Sequence, residues 1–368
     1  MDFVVNRDNF LKELQYVQGV VEKKTTVPIL SNILLETTGN NLSITATDLD
    51  VTIRCGCRAS IKVSGAVTVA ARKLFDIVRL LPNSDIHFKQ SSSDWVQLTC
   101  ERSRFKIGTL GKENFPDIPQ ISDTTLGLPS GAIRHMIPRC IFAITQEESR
   151  FALNGALLLI RPGTITMVTT DGHRLALISR DAEVTGAEAE SRHLVPRKTL
   201  VELSKLAAGA EGLIDFGDSH NHLFFKVGDR FLISRLLSGQ FPNYEMVIPT
   251  DSDKRILLPT VEFSDALRRV ATMAEEQSRA IKLSLAEDQL DILASSSEYG
   301  EAKESLSIQY QGEPLTVCFN ALYLLDFLSG LESDQVVLEL KDGESQGLLS
   351  PEAQEDYKYQ YVAMPMKL

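Results

Sequence analysis

The sequence is poor in the residues that build metal centres and disulfide frameworks. Its 368 residues hold five cysteines and six histidines. Cys55, Cys57, Cys100, Cys140 and Cys318 form no C-x-x-C pair and share no zinc-like spacing with histidine. They read as reduced thiols packed as small hydrophobes in a cytoplasmic protein. No apolar run is long enough to cross a bilayer as a helix. The N-terminus, Met1-Asp2-Phe3-Val4-Val5-Asn6-Arg7-Asp8, is charged and strand-like where a signal peptide would be apolar. Positive charge is also scarce. The chain carries 38 Lys and Arg against 49 Asp and Glu, a formal charge of −11, which argues against a general nucleic-acid adhesive. A local basic surface on an acidic body remains open.

What the sequence does contain is a repeat. Ala71–Pro82 reads as one amphipathic helix, with Leu74, Val78 and Leu81 on an apolar stripe and Arg72, Asp76 and Arg79 on a polar one. Pro82 stops it. Leu74-Phe75-Asp76-Ile77 recurs as Leu200-Val201-Glu202-Leu203 and again as Leu324-Leu325-Asp326-Phe327. A second pattern, the alternating run Asn41–Asp48, recurs at Thr164–Asp171 and Gln289–Ser296. Both patterns repeat about every 125 residues, a domain-sized period far above that of a solenoid. The expectation is a triplicated α+β chain with units at residues 1–122, 123–250 and 251–368. Each unit has two helices on antiparallel sheets.

The expected helices are Arg7–Gly19 and Ala71–Leu81, Ala132–Thr145 and Pro196–Ala208, and Thr260–Ala274 and Asn320–Leu331. Pro138 must kink or delay the third, and Pro196 suits the start of the fourth. Asp76, Glu202 and Asp326 lie in different units, so they read as helix-surface charges pairing at i+3 and not as one metal site.

The helices carry Arg72, Lys73 and Arg79 in the first unit and Arg197, Lys198 and Lys205 in the second. Lys23 and Lys24 sit in a nearby loop. If all helices face one way, they form a basic surface that holds phosphates without reading sequence. A domain of this length is roughly 35 Å across. Six such domains in a closed hexagon leave a hole about one domain wide, enough for a duplex roughly 20 Å thick, whereas three do not. A ring of this kind needs two three-domain arcs joined by two identical head-to-tail contacts.

The repeats occur with Thr170-Asp171-Gly172-His173-Arg174-Leu175-Ala176, Phe241-Pro242-Asn243-Tyr244 and the terminal Met364-Pro365-Met366-Lys367-Leu368. In this combination the whole chain resembles the β sliding clamp of bacterial DNA polymerase III. The resemblance implies three clamp domains per chain and a ring-shaped homodimer around duplex DNA. It implies a processivity factor without catalytic activity or cofactor, which tethers the replicative polymerase and serves the clamp loader, other polymerases and repair proteins.

The resemblance also implies a partner-peptide pocket between the second and third units. Its members are Leu153, Thr170, Gly172, His173, Arg174, Leu175, Pro242, Val247, Val362, Met364, Pro365 and Met366. Thioethers and small aliphatics suit an adaptable apolar groove. Met246 stands where some members of the family have arginine and Ala152 where some have an aromatic, which shifts the expected preference. By the same resemblance, Phe105 meets Thr272 and Met273 of the second subunit, and Lys23 and Lys24 fall in a loop that touches DNA. Two other functions remain open on the residues alone: hydrolysis by an Asp171–His173 acid–base pair, and a monomeric peptide-binding scaffold.

Overall fold

The computed structural model of the protein describes residues 1–22, 26–120, 124–147, 149–354 and 356–367. Six α-helices form among these residues: α1 (Arg7–Val17), α2 (Ala71–Leu80), α3 (Ser130–Cys140), α4 (Arg197–Ala208), α5 (Thr260–Ala271) and α6 (Ala321–Ser329). Local chemistry sets their ends. The Asn6 side chain caps α1 by accepting from the Asp8 and Asn9 N–H groups, and Asn320 caps α6 by accepting from Leu322. Helix α2 ends one residue earlier than its apolar spacing predicts. Leu81 is extended because Pro82 disfavours helical backbone in the residue before it. Pro138 lies inside α3 and ends it by Cys140; a 3₁₀ turn, Ile141–Ala143, follows, and Ile144 is extended, short of the expected end at Thr145. Pro196 is the last residue of a strand and not the first of α4.

Backbone contacts divide the chain into two compact units, Met1–Arg134 with Lys198–Leu236, and His135–Arg197 with Leu237–Leu368. The first unit holds a 13-stranded sheet. Its order runs Leu126–Pro129, Leu213–Ser219, His222–Val227, Arg230–Arg235, Val51–Arg58, Asn41–Thr47 and Asn32–Thr38. It continues through Ala66–Ala70, Ser103–Leu110, Trp95–Cys100, Asp85–Ser92, Asp2–Asn6 and Ser60–Val63. The second unit holds an eight-stranded sheet. Its order is Ser191–Pro196, Gly155–Arg161, Thr164–Thr170, Arg174–Asp181, Tyr357–Ala363, Gly347–Pro351, Gln335–Leu340 and Lys254–Pro259. A separate four-stranded sheet in that unit runs Gly300–Ser307, Gln289–Ser296, Ala280–Ala286 and Leu315–Asn320. Every ladder between described strands is antiparallel.

The repeat read from the sequence is visible at the level of single hydrogen bonds. After Asn41–Thr47, the Asp48 carboxylate accepts from the Asp50 and Val51 N–H groups, and the Leu49 N–H donates to Thr47 Oγ1, with Leu49 at φ 83°. After Thr164–Thr170, Asp171 accepts from His173 and Arg174, and the Gly172 N–H donates to Thr170 Oγ1, with Gly172 at φ 89°. In the third copy Ser296 takes the aspartate's place and accepts from Glu298 at 3.2 Å. Thr-Asp is therefore a turn motif, in which a short side chain replaces backbone partners where the chain reverses.

Glycine is required where the strand Gly155–Arg161 meets Ser191–Pro196. A Cβ on Gly155 collides with the Val195 carbonyl across the ladder and with the Leu237 side chain. Replacing Gly155 with alanine is expected to destabilise the second unit by about 1–3 kcal/mol, the usual range for overpacking. Thermal unfolding checks this; an unchanged midpoint would contradict it.

Candidate functional site

In the second unit the Thr170–Arg174 turn forms one wall of an apolar cavity of about 190 Å³. Leu153, Thr170, Gly172, Arg174, Leu175, Pro242, Tyr244, Val247, Val362 and Met364 line it. Leu175, Tyr244 and Val362 also belong to the buried cluster beneath it, with Leu157, Leu159, Val168, Leu177, Leu194 and Leu348. The floor is therefore fixed by core packing. The upper wall comes from chain ends and turns: Val247 is 36% exposed and Met364 39%. A thioether on such a rim adapts to differently shaped apolar side chains.

The C-terminal tail is held at alternate residues. The Met364 N–H donates to the His173 carbonyl at 2.9 Å, and the Met366 N–H donates to the Cys318 carbonyl at 2.8 Å. Met364 thus faces the cavity, while Pro365 and Met366 do not line it. His173 lies instead along a polar cleft of about 450 Å³, with Phe142, Glu147, Asp171, Arg174 and Tyr323 among its walls. The cavity and the cleft share Arg174. Tyr244 completes the cavity floor, and the sequence signal for it was the aromatic ending Phe241-Pro242-Asn243-Tyr244.

Arg174 ties the site together. Its guanidinium donates to the Asp171 carboxylate at 3.1 Å, to Asp326 at 2.5 Å and to the Phe142 carbonyl at 2.7 Å, and it lies over the Tyr323 ring at 4.3 Å. Burial works against the charge, but Tyr361, Asp326 and Asp171 more than offset it, so its pKa is raised. Asp326 is therefore held by a distant arginine and not by its own helix. Glu202, also expected as a surface charge, is 2% exposed, and Lys205 reaches it at 2.7 Å. Both Asp171 oxygens are committed to the turn, Oδ1 to two backbone N–H groups and Oδ2 to Arg174. No cluster of metal-binding side chains occurs among the described residues.

Lysine cannot reproduce the planar fork that reaches three acceptors at once. Arg174→Lys is expected to cost about 2–4 kcal/mol of stability, below the full loss of a buried ion pair. It should also weaken binding of an apolar peptide at least tenfold. Denaturant unfolding and a peptide titration check this; wild-type behaviour in both would contradict it.

Three family models cover nearly the whole chain. The models for the N-terminal, central and C-terminal domains of the DNA polymerase III beta subunit match residues 1–119, 127–243 and 245–367. The Beta sliding clamp of Pseudomonas putida is 38% identical over 372 residues, covering 100% of both chains. The chain belongs to the DNA polymerase III beta subunit family. A sliding clamp of Pseudomonas aeruginosa, solved bound to griselimycin, superposes with a TM-score of 0.93 at 36% identity, with 100% of each chain covered. The DNA polymerase sliding clamp of Bacillus subtilis gives a TM-score of 0.94 at 26% identity, covering 100% of this chain and 99% of that one.

The remaining expected residues, the basic helix positions and those implied by the resemblance, fall in varied settings. On α2, Arg72, Lys73 and Arg79 are exposed, and Asp76 lies 3.8 Å from Arg79. On α4, Lys198 is engaged by the Asp48 carboxylate and the Val20 carbonyl, and Lys205 by Glu202. Arg197 is half-buried. Lys23 and Lys24 lie outside the described residues. Phe105 is half-buried on Ser103–Leu110, and Thr272 and Met273 follow directly on α5, with Thr272 exposed.

Proposed function

We propose that the chain is the processivity factor of a bacterial replicative DNA polymerase and works by topology, without chemistry of its own. Two copies close a ring around duplex DNA, slide on it, and hold the polymerase and other replication and repair proteins by short peptide segments in the apolar cavity. The observation that carries this reading is the full-length match to all three beta subunit domains, together with a cavity whose floor is core and whose rim is adaptable. The threefold division at residues 1–122, 123–250 and 251–368 belongs to the same proposal. The same turn after the matching strand of each copy, with Ser296 in the aspartate's place in the third, supports it.

Two free strand edges support the dimer. Ser103–Leu110 is paired along its length with Trp95–Cys100, but Ala66–Ala70 reaches it only at Thr109 and Leu110. Gly300–Ser307 is the outer strand of the four-stranded sheet. Unpaired edges invite another strand, and these two differ in charge. The first exposes Arg104 and Lys106; the second exposes Glu301 and Lys303 and carries the half-buried Glu304 that Arg269 holds at 2.5 Å. Such edges suit a head-to-tail contact made twice in a closed pair. Exposed Arg72, Lys73 and Arg79, with Lys23, Lys24, Arg197, Lys198 and Lys205, form the proposed DNA-facing set, whose weak phosphate contacts permit sliding.

The cavity is tested with a fluorescent peptide from the C-terminus of a bacterial replicative polymerase. Saturable binding that is lost in Leu175→Asp is expected. Equal binding by both proteins would contradict the assignment of the cavity.

A further inference from the structure

In the first unit, a cavity of about 490 Å³ with mixed polar and apolar walls opens beside the strand Val51–Arg58. Asn41–Thr47 pairs with this strand along its whole length on one side, whereas on the other Arg230–Arg235 pairs with it only as far as Arg54. The Asp50 carbonyl accepts from Arg235 at 2.8 Å, whereas the Val51 carbonyl accepts from Asp48 and the Ala59 N–H donates to Asn40. In an antiparallel ladder both backbone groups of a residue point to one side and the sides alternate. Even-numbered residues from Asp50 to Arg58 therefore face the Arg230–Arg235 side. Beyond Arg54 that neighbour turns away at Gly228 and Asp229, so the backbone groups of Gly56 and Arg58 face the cavity with no described strand opposite.

The side chains add a charge pattern. Arg54 and Arg58 share the outer face and are exposed; Gly56 lies between the two arginines, where a Cβ would strike the Leu42 carbonyl of the paired strand. Neither forms an ion pair among the described residues; Arg54 donates only to Ser43 Oγ, at 3.4 Å. They stand about 13 Å apart along the strand, with a residue lacking a side chain between them. We propose that this edge binds an extended protein segment as an added strand, with an acidic side chain seated over Gly56 between Arg54 and Arg58. Diagonal neighbours across a ladder lie within reach of long side chains, so one carboxylate there meets both guanidinium groups. Asp229, which also lines the cavity, opposes a continuous run of negative charge. A single acid in a strand therefore fits better than a polyanion.

The test uses the full-length protein and an eight-residue fluorescein-labelled peptide of alternating threonine and valine with one central glutamate. The glutamate peptide should bind at least tenfold more tightly than its glutamine counterpart. The double variant Arg54→Ala, Arg58→Ala should remove that difference. Amide hydrogen exchange at Gly56 and Arg58 should slow at least fivefold on saturation. Deleting residues 364–368 should leave this binding intact, which separates it from the apolar cavity. Equal affinity for the two peptides, unchanged exchange at both amides, or loss of binding in the tail deletion would overturn the proposal. Tighter binding of a ten-nucleotide oligothymidylate, lost in the arginine variant, would also overturn it and assign the edge to nucleic acid.

Discussion

Phe105→Asp is expected to convert the proposed dimer into a folded monomer. Phe105 lies opposite Leu98 in the Trp95–Cys100 ladder, so it shares the face on which Val96 and Leu98 are buried. It is itself only half-buried, a core position left uncovered at a free strand edge. In the proposed dimer the cover comes from Thr272 and Met273 of the other copy. A carboxylate there must be desolvated without a partner, and interface anchors of this kind cost about 2–4 kcal/mol each. The contact occurs twice per ring, so dissociation should strengthen by a factor of about 1,000 or more. Light scattering at micromolar concentration should give the dimer mass for wild type and 40.8 kDa for the variant. Circular dichroism should be unchanged because each unit keeps its own sheets. A variant that remains dimeric would contradict the assignment of this edge.

Deleting residues 364–368 should abolish peptide binding while leaving the dimer intact. The deletion removes the Met364 wall of the cavity and both backbone anchors, to His173 and Cys318. The cavity loses shape as well as apolar area, because the His173 carbonyl and the edge of Leu315–Asn320 lose their partner. A loss of at least about 100-fold in affinity is expected, on the scale of a buried anchor. The free edges at Ser103–Leu110 and Gly300–Ser307 do not involve the tail, so sizing should still report a dimer. Normal peptide binding by the truncated chain would contradict the role of Met364.

The repeat was legible in the sequence itself, whereas the cavity residues followed only from the family resemblance. Alternation in Asn41–Thr47 and Thr164–Thr170 reports strands, although most residues on both of their faces are buried, and the Thr-Asp that follows reports a turn. Gly300–Ser307 could not be read in the same way. It buries no residue, and Glu301, Lys303 and Glu304 give it the charge of a loop. An outer strand with neither face buried carries no apolar alternation. Asp326 and Glu202 illustrate a second limit. The i+3 spacing correctly pairs Glu202 with Lys205, but no local pattern reveals that Glu202 is buried or that Asp326 is claimed by Arg174, 152 positions away. Lys198 is similar: its charge reads as free in sequence and is engaged by Asp48 in the fold.

Whether the protein holds DNA by enclosing it is tested most directly by retention on circular and linear duplexes. The protein is loaded by a bacterial clamp-loader complex onto a nicked circular plasmid and passed through a sizing column in high salt. It should remain with the circle and be released when a restriction enzyme opens the DNA, because a closed ring leaves only by sliding off an end. Equal retention on both forms, or release from both, would contradict a topological mechanism.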